Sequence, residues 1–185
     1  MNLQLPEFGK WMYESNRKPS LWRSKKLNGK TIWEPINIIY VDSISKSTDD
    51  SKKLLINSLK KTGFRIRWGH YTWRYGKVDE IFYKQLPDKF FHAFSNNPWW
   101  RKNNHCRFFG PHYKDDNYYY CGAISSETGV LHKYISFSIA RDELSKLLES
   151  KAGFKIQGSI ELDNFIENEN RTTGDHDGKA VFITT

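Results

Sequence analysis

The chain has 185 residues and a formal net charge of +8, and 16% of its residues are aromatic, including seven tryptophans. This length favours one domain whose core is large enough to fold without a disulfide or a structural metal. No run approaches the roughly 18–20 apolar residues of a membrane span, and the N-terminus lacks the layout of a secretory signal. We therefore expect a soluble, cytoplasmic protein.

The charge is distributed unevenly. Residues 1–110 hold 21 Lys and Arg against 9 Asp and Glu, whereas residues 111–185 hold 8 against 12. A basic first part favours attraction to phosphates, nucleic acid or an anionic membrane surface. The alternative is a set of solvated lysines that only keep the protein in solution.

Residues 1–33 are rich in Trp, Lys and Pro, and we expect them to form an N-terminal arm packed over a single main domain, 34–185. The apolar run INIIYVD predicts a buried strand over 36–42. A helix follows, with Ser47 as its N-cap and Gly63 as the residue that turns the chain out of it.

The next segment predicts a hairpin. FRIRW alternates as a strand does, Tyr75-Gly76-Lys77 is typical of a turn, and VDEIFYKQ predicts the returning strand. Aromatic and basic residues also interleave here, a pattern that suits base stacking and phosphate contacts, although alternating aromatics are more often core. The residues concerned are Arg65, Arg67, Trp68, Tyr71, Trp73, Arg74 and Lys77.

A second strand, helix and strand are predicted from HKYISFS, ARDELSKLLESKAGF and KIQGSIEL. KKTGFRIR and SKAGFKIQ correspond closely, which indicates either an internal β-α-β duplication or two uses of the same helix-ending chemistry. The predicted fold class is α+β, with a mixed or antiparallel sheet and two main helices on one face.

The segment around His105 is the first candidate site. His105 and Arg107 share one face of a predicted strand, and such a pair suits an oxyanion, because Arg offers a fixed fork of donors and His a donor or proton carrier. In the alternative, Arg107 pairs with a buried carboxylate and His105 caps a turn through Asn103 or Asn104.

The second candidate element is GAISSE, in which Ser125 and Glu127 share a strand face. Glu127 suits a general base, a group that orients His105, or a counter-charge for Arg107. His132 extends the set, either for acid–base work or for a divalent metal site with His105 and Glu127. The spacing matches no metalloenzyme signature, so no cofactor is predicted, and no G-x-S-x-G elbow is present.

Three further features favour structural interpretations. Arg141 and Asp142 are typical of a structural pair at a helix start. GDHDGK, with Asp175, His176 and Asp177, favours a plain turn over an ion site. Cys106 and Cys121 favour two partly buried thiols, with pairing as the alternative in an oxidising compartment.

Taken together, the pieces WEPIN, NNHCRFFGP, YYYCGAISSE, HKYISFSIARDEL and GDHDGKAVFI resemble the LssY C-terminal-like domain family over about residues 30–185. That family implies no settled activity, and some members carry the domain after a membrane-bound phosphatase-like region. The resemblance implies that its motif residues belong to one site. The corresponding residues are His105, Arg107, Gly122, Ala123, Ser125, Glu127, His132, Arg141, Asp142, Asp177 and Gly178.

The leading hypothesis is a pocket that binds a phosphate or another anionic group, with phosphoester hydrolysis as its activity. Its predicted catalytic residues are His105, Arg107, Glu127 and His132, and its predicted ligand-binding residues are Asn104, Ser125 and Arg141. The alternative is a non-catalytic module that binds nucleic acid or an acidic protein through the basic first part of the chain. The sequence does not indicate an oligomeric state.

Overall fold

The structure, a computed structural model, describes residues 5–70 and 72–185, with the backbone alone for residues 23–25. Within these ranges the chain forms thirteen strands and two helices. The elements are β1 (Leu21–Leu27), β2 (Lys30–Trp33), β3 (Ile38–Asp42), α1 (Thr48–Lys61), β4 (Arg65–Trp68), β5 (Tyr75–Val78), β6 (Ile81–Leu86), β7 (His92–Ser95), β8 (Asn103–Lys114), β9 (Asn117–Glu127), β10 (Tyr134–Ser136), α2 (Ser138–Ala152), β11 (Lys155–Glu161), β12 (Arg171–Thr172) and β13 (Lys179–Thr184).

Ten of the strands form one mixed sheet, in the order β11-β13-β3-β9-β8-β6-β5. Strand β7 pairs with the other end of β8 and carries β4, while β10 pairs with β9. The pair β13–β3 is parallel, whereas the other pairs in this sheet are antiparallel. The predicted α+β class with a mixed sheet is confirmed.

The two faces of the sheet are covered differently. On one face, α1 and α2 bury Leu55, Leu59, Leu144 and Leu148 against the sheet, so the prediction of two helices on one face is confirmed. The other face carries a second apolar cluster. We call these the helix face and the arm face, because the N-terminal segment supplies Phe8 to the second cluster.

The N-terminal segment is more regular than its composition suggests. It contains the β1–β2 hairpin, and β2 pairs in parallel with β12 from the far end of the chain. Trp22 is buried with only 3% of its surface exposed, and its ring meets Phe137 of the main domain edge to face at 6.0 Å. Large aromatic side chains therefore anchor this segment to the main body.

Local sequence signals set the limits of α1 as predicted. The Ser47 side chain accepts a hydrogen bond from the Asp50 amide at 3.1 Å, which caps the helix, and Gly63 follows it with a φ of +91°. The turn predicted at Gly76 is wrong, because Gly76 lies inside β5 and the chain turns after Val78. A Cβ at Gly76 would lie 2.4 Å from the Phe109 ring, so this glycine permits close packing.

The two helix–glycine–strand copies place their strands far apart. Strand β4 pairs with β7 and strand β11 pairs with β13 at the opposite end of the sheet. Whether the copies arose by duplication stays a prediction. Over residues 5–70 and 72–185, neither helix has the length and apolar content needed to cross a lipid bilayer.

The two cysteines lie on neighbouring strands but on opposite faces of the sheet. Cys106 packs in the helix-face cluster, and Cys121 packs in the arm-face cluster. Both are free and buried. Burial raises the pKa of Cys121 to about 12, so this thiol is unreactive at neutral pH. The favoured interpretation of two buried thiols agrees with this geometry, which excludes their pairing.

Candidate functional site

The long β8–β9 ladder aligns most of the predicted polar residues. His105 lies opposite Ser125, Asn103 lies opposite Glu127, and Arg107 lies opposite Ala123. Directly opposed residues in an antiparallel pair point to the same face, and alternate residues along a strand share that face. Because side chains alternate between the two faces along β8 and β9, these polar side chains all lie on the arm face.

One pocket lies at this end of the ladder. Its cavity has a volume of about 30 Å³, which has room for one or two water molecules or a single ion. Each of the four predicted catalytic residues lines it and keeps between 3% and 9% of its surface exposed. The complete lining is Trp22, Glu34, His70, Arg74, His105, Arg107, Glu127 and His132.

Glu127 is held from two sides. His132 Nδ1 lies 3.0 Å from Glu127 Oε2, and Asn103 Nδ2 donates to Glu127 Oε1 at 3.3 Å. His132 reaches this position because the turn after β9 reverses the chain, with its amide donating to the Gly129 carbonyl at 2.8 Å. The ring of Trp99 lies nearly parallel to the His132 imidazole, with centroids 5.9 Å apart.

His105 occupies the centre of the cluster. Its Nε2 lies 3.2 Å from the Ser125 hydroxyl, while its Nδ1 lies 3.3 Å from Asn103 Oδ1 and 3.7 Å from Glu127 Oε1. The imidazole of His70 approaches it with a centroid separation of 4.6 Å. Ser125 is thus placed against His105, as the predicted shared face of Ser125 and Glu127 requires.

Sequence reasoning missed His70. The His70 amide and the Gly69 amide both donate to the Phe91 carbonyl, which fixes the chain just after β4. A Cβ at Gly69 would lie 2.4 Å from the Trp99 ring, so glycine is needed for this close approach. The Gly-His dipeptide was visible in the sequence, but no spacing linked it to His105.

Three other lining residues were also missed as site residues. Trp22 comes from the N-terminal segment and Glu34 directly follows that segment, and the Trp22 indole donates to the His132 carbonyl at 3.1 Å. Arg74 Nε lies 4.0 Å from Glu34 Oε2, so this guanidinium and carboxylate partly neutralise each other. The arm therefore closes one side of the pocket, which its composition did not reveal.

None of the three predicted ligand-binding residues lines this pocket, and Ser125 reaches it only through its contact with His105. Asn104 points to the helix face, since it alternates with His105, and its amide donates to Glu143 Oε2 at 2.7 Å. Arg141 lies in α2, where its guanidinium binds both carboxylate oxygens of Asp177, at 2.7 and 3.2 Å. Arg141 also donates to Asp142 at 2.8 Å, in line with the structural interpretation.

The GDHDGK loop stabilises the start of α2. The Asp175 carboxylate accepts from the Phe137 amide at 2.7 Å and from the hydroxyls of Ser136 and Tyr134. It thereby caps α2 together with the Ser136 hydroxyl, which accepts from the Ile139 amide at 2.9 Å, while the N-cap residue Phe137 offers no side-chain acceptor. Although burial opposes the charge, these hydrogen bonds lower the pKa of Asp175.

The middle of that loop is buried. His176 Nε2 lies 2.6 Å from Asn164 Oδ1, and burial lowers the pKa of His176 from 6.5 to about 4. With Asp177 held by Arg141, the three polar groups of the loop are engaged in the fold, which agrees with the favoured interpretation as a turn.

The aromatic–basic segment divides between surface and interior. Trp68 is 59% exposed, whereas Arg74 is buried in the pocket. The ammonium of Lys84 lies 3.4 Å above the Trp73 ring, and Lys77 pairs with Glu80. Tyr71, also predicted to stack on bases, lies outside the described residues.

One group of lining residues has the donor types of a metal site. One ligand atom from each of His70, His105 and Glu127 lies within 4.8 Å of the other two. The predicted metal alternative named His132 in place of His70. His132 instead contacts the second oxygen of Glu127.

No family model matches this chain. No curated protein and no solved structure matches it either. The fold and the pocket define the chain only as an α+β protein with a buried polar site, and its membership of the LssY C-terminal-like family stays a prediction.

Proposed function

We propose that the pocket binds a phosphate or a similar oxyanion and hydrolyses a phosphoester. The observation that supports this function is the convergence of three imidazoles, two guanidiniums and two carboxylates, from distant parts of the chain, on one cavity. The resemblance to the LssY C-terminal-like family implies no settled activity, and it supports only the grouping of its motif residues in one site.

The size of the cavity limits how the ligand binds. A volume of about 30 Å³ does not enclose a whole phosphomonoester, so the ester binds at the mouth and directs its phosphoryl oxygens inward. Arg107 lies beside His105 on the same strand face and offers these oxygens a planar fork of donors.

The Glu127–His132 pair suits proton transfer. When His132 Nδ1 donates to Glu127 Oε2, the lone pair of His132 is on Nε2, where it can take a proton from an attacking water. The bond from phosphorus to the leaving oxygen then breaks, and a protonated His105 returns a proton to that oxygen. The water supplies the hydroxyl that phosphorus gains.

Binding of inorganic phosphate and phenyl phosphate, measured by isothermal titration calorimetry, tests this function. We expect the Arg107→Lys variant to bind both at least about tenfold more weakly, because Lys keeps the charge but loses the fork. Arg107→Ala should weaken binding further while its melting temperature stays near that of the wild type. Hydrolysis of phenyl phosphate should fall with binding in both variants.

Arg65→Ala is the matched control, since it removes the same charge from an exposed position of β4. It should change the dissociation constants less than about twofold. A wild-type protein that binds neither ligand refutes the proposal. So does an Arg107→Lys variant that binds like the wild type, and an Arg107→Ala variant that unfolds identifies Arg107 as structural.

Nucleic-acid binding is the competing proposal, and its support is weaker. Arg74 lies in the pocket beside Glu34, and Lys84 covers one face of Trp73, so fewer groups of this segment face a nucleic acid. A salt series with single- and double-stranded oligonucleotides separates the proposals. Binding that falls steeply with salt favours the nucleic-acid module, and no binding at low salt removes it.

A further inference from the structure

We infer that His70, His105 and Glu127 bind one divalent transition-metal ion, such as Zn²⁺, in the pocket that they line. The inference builds on the proposed function, since it gives the same pocket a metal. Two imidazoles and one carboxylate are a common protein donor set for catalytic zinc, and they leave a coordination position for water or substrate.

The distances fit a metal site after a modest closure. In a tetrahedral site, two ligand atoms that are each about 2.1 Å from the metal lie about 3.4 Å apart. His105 Nδ1 and Glu127 Oε1 are separated by 3.7 Å, close to this value. The three ligand atoms all lie within 4.8 Å of one another, so completing the site requires a closure of roughly 1.4 Å at most.

The surrounding groups hold the ligands in place. Asn103 Nδ2 donates to Glu127 Oε1, and His132 holds Oε2, so the carboxylate is oriented from both ends. His105 Nδ1 lies 3.3 Å from Asn103 Oδ1, an acceptor, so a metal bound at Nδ1 displaces the proton of that nitrogen, and Nε2 then donates to the Ser125 hydroxyl. Such outer hydrogen bonds fix the tautomer and ring orientation of a metal ligand.

Size and charge both support an ion at this position. The cavity of about 30 Å³ accommodates a single ion. With neutral histidines, the guanidiniums of Arg74 and Arg107 are offset by the carboxylates of Glu34 and Glu127. A divalent ion would make the lining net positive, as a dianionic phosphoryl group requires.

The ion changes the role of His105 from proton carrier to ligand, while His132 remains available to move protons. Its contact with the second oxygen of Glu127 keeps His132 in the same pocket as the three proposed ligands. A metal-bound water at that position has a pKa low enough to supply hydroxide near neutral pH.

The test uses the full untagged chain, stripped with chelator, dialysed into phosphate-free buffer and titrated with ZnCl₂ by calorimetry. We expect one equivalent to bind. A parallel CoCl₂ titration should produce visible bands of nitrogen and oxygen ligation without a sulfur charge-transfer band, because both cysteines pack in the apolar clusters.

Glu127→Gln and His70→Asn should each weaken zinc binding about 100-fold or more, since even the loss of an outer-shell hydrogen bond costs 10–100-fold. His92→Ala removes a histidine that lies outside the pocket lining and should change the affinity less than twofold. The zinc titration of the wild-type protein tests the inference even if a variant unfolds. A wild type that binds no stoichiometric zinc or cobalt overturns the inference, as does a folded His70→Asn variant with wild-type affinity.

Repeating the phosphate titration with and without ZnCl₂ separates this inference from the proposed function. Zinc binding without phosphate binding refutes the proposed function and leaves the metal site standing. Phosphate binding without zinc binding refutes the metal site and leaves the proposed function standing.

Discussion

The pocket and the GDHDGK loop contain similar residue types, yet the fold uses them differently. In the pocket, imidazoles and a carboxylate line a cavity. In the loop, Asp175 caps α2, His176 contacts Asn164 and Asp177 binds Arg141. The comparison shows that a cluster of titratable residues indicates a functional site only when its groups face space that a ligand can reach.

The difference follows from where each segment lies. Strands β8 and β9 present alternate residues to a face that the N-terminal segment covers incompletely, so polar groups border a gap. The loop, in contrast, packs against the first turn of α2, whose free amides attract a carboxylate. Variants in the pocket should therefore affect ligand binding, whereas variants in the GDHDGK loop should affect stability.

The largest expected effect on stability comes from Asp175→Ala. The change removes the acceptor for two hydroxyls and the Phe137 amide, and we expect the free energy of unfolding to fall by about 4 kcal/mol. Chemical denaturation measures this loss. Asp175→Asn keeps one acceptor oxygen and should lose about half as much, and equal losses in the two variants would contradict a capping role.

The next effect is a pH dependence from His176. Because burial lowers its pKa from 6.5 to about 4, the folded state resists the proton that the unfolded state binds below pH 6.5. Stability should therefore be fully present above pH 6.5 and fall by roughly 3 kcal/mol as the pH drops to 4. We measure the free energy of unfolding of the wild type and of His176→Gln by denaturation at each pH, and the two values should converge as the pH falls through this range. A constant difference between them would exclude His176 as the cause of the pH dependence.

Arg141→Ala should have the smallest of the three effects. The Asp177 carboxylate is about half exposed, so the solvent screens the ion pair and we expect a loss of about 2 kcal/mol. Phosphate affinity, measured on the folded variant, should equal that of the wild type. Arg107→Ala should instead lose phosphate affinity and keep the stability of the wild type. A loss of phosphate binding in Arg141→Ala would show that the site extends to α2.

The amino-acid sequence carried much of the fold through local signals. Alternation along β8 and β9 specified which residues share a face with His105, and the Ser47 cap and Gly63 marked the limits of α1. Gly76 was misassigned because glycine serves both turns and close packing, and the sequence does not show the ring of Phe109 that decides between them.

The sequence by itself determined the helices, most strands and the face on which His105, Arg107, Ser125 and Glu127 lie, because side-chain periodicity and capping act between near neighbours in the chain. Only the tertiary structure decided that His70, Arg74, Glu34 and Trp22 complete the pocket, and that Asn104 and Arg141 lie elsewhere. Those positions depend on strand order and on the packing of the N-terminal segment. These are contacts between residues far apart in the chain, which no local pattern encodes.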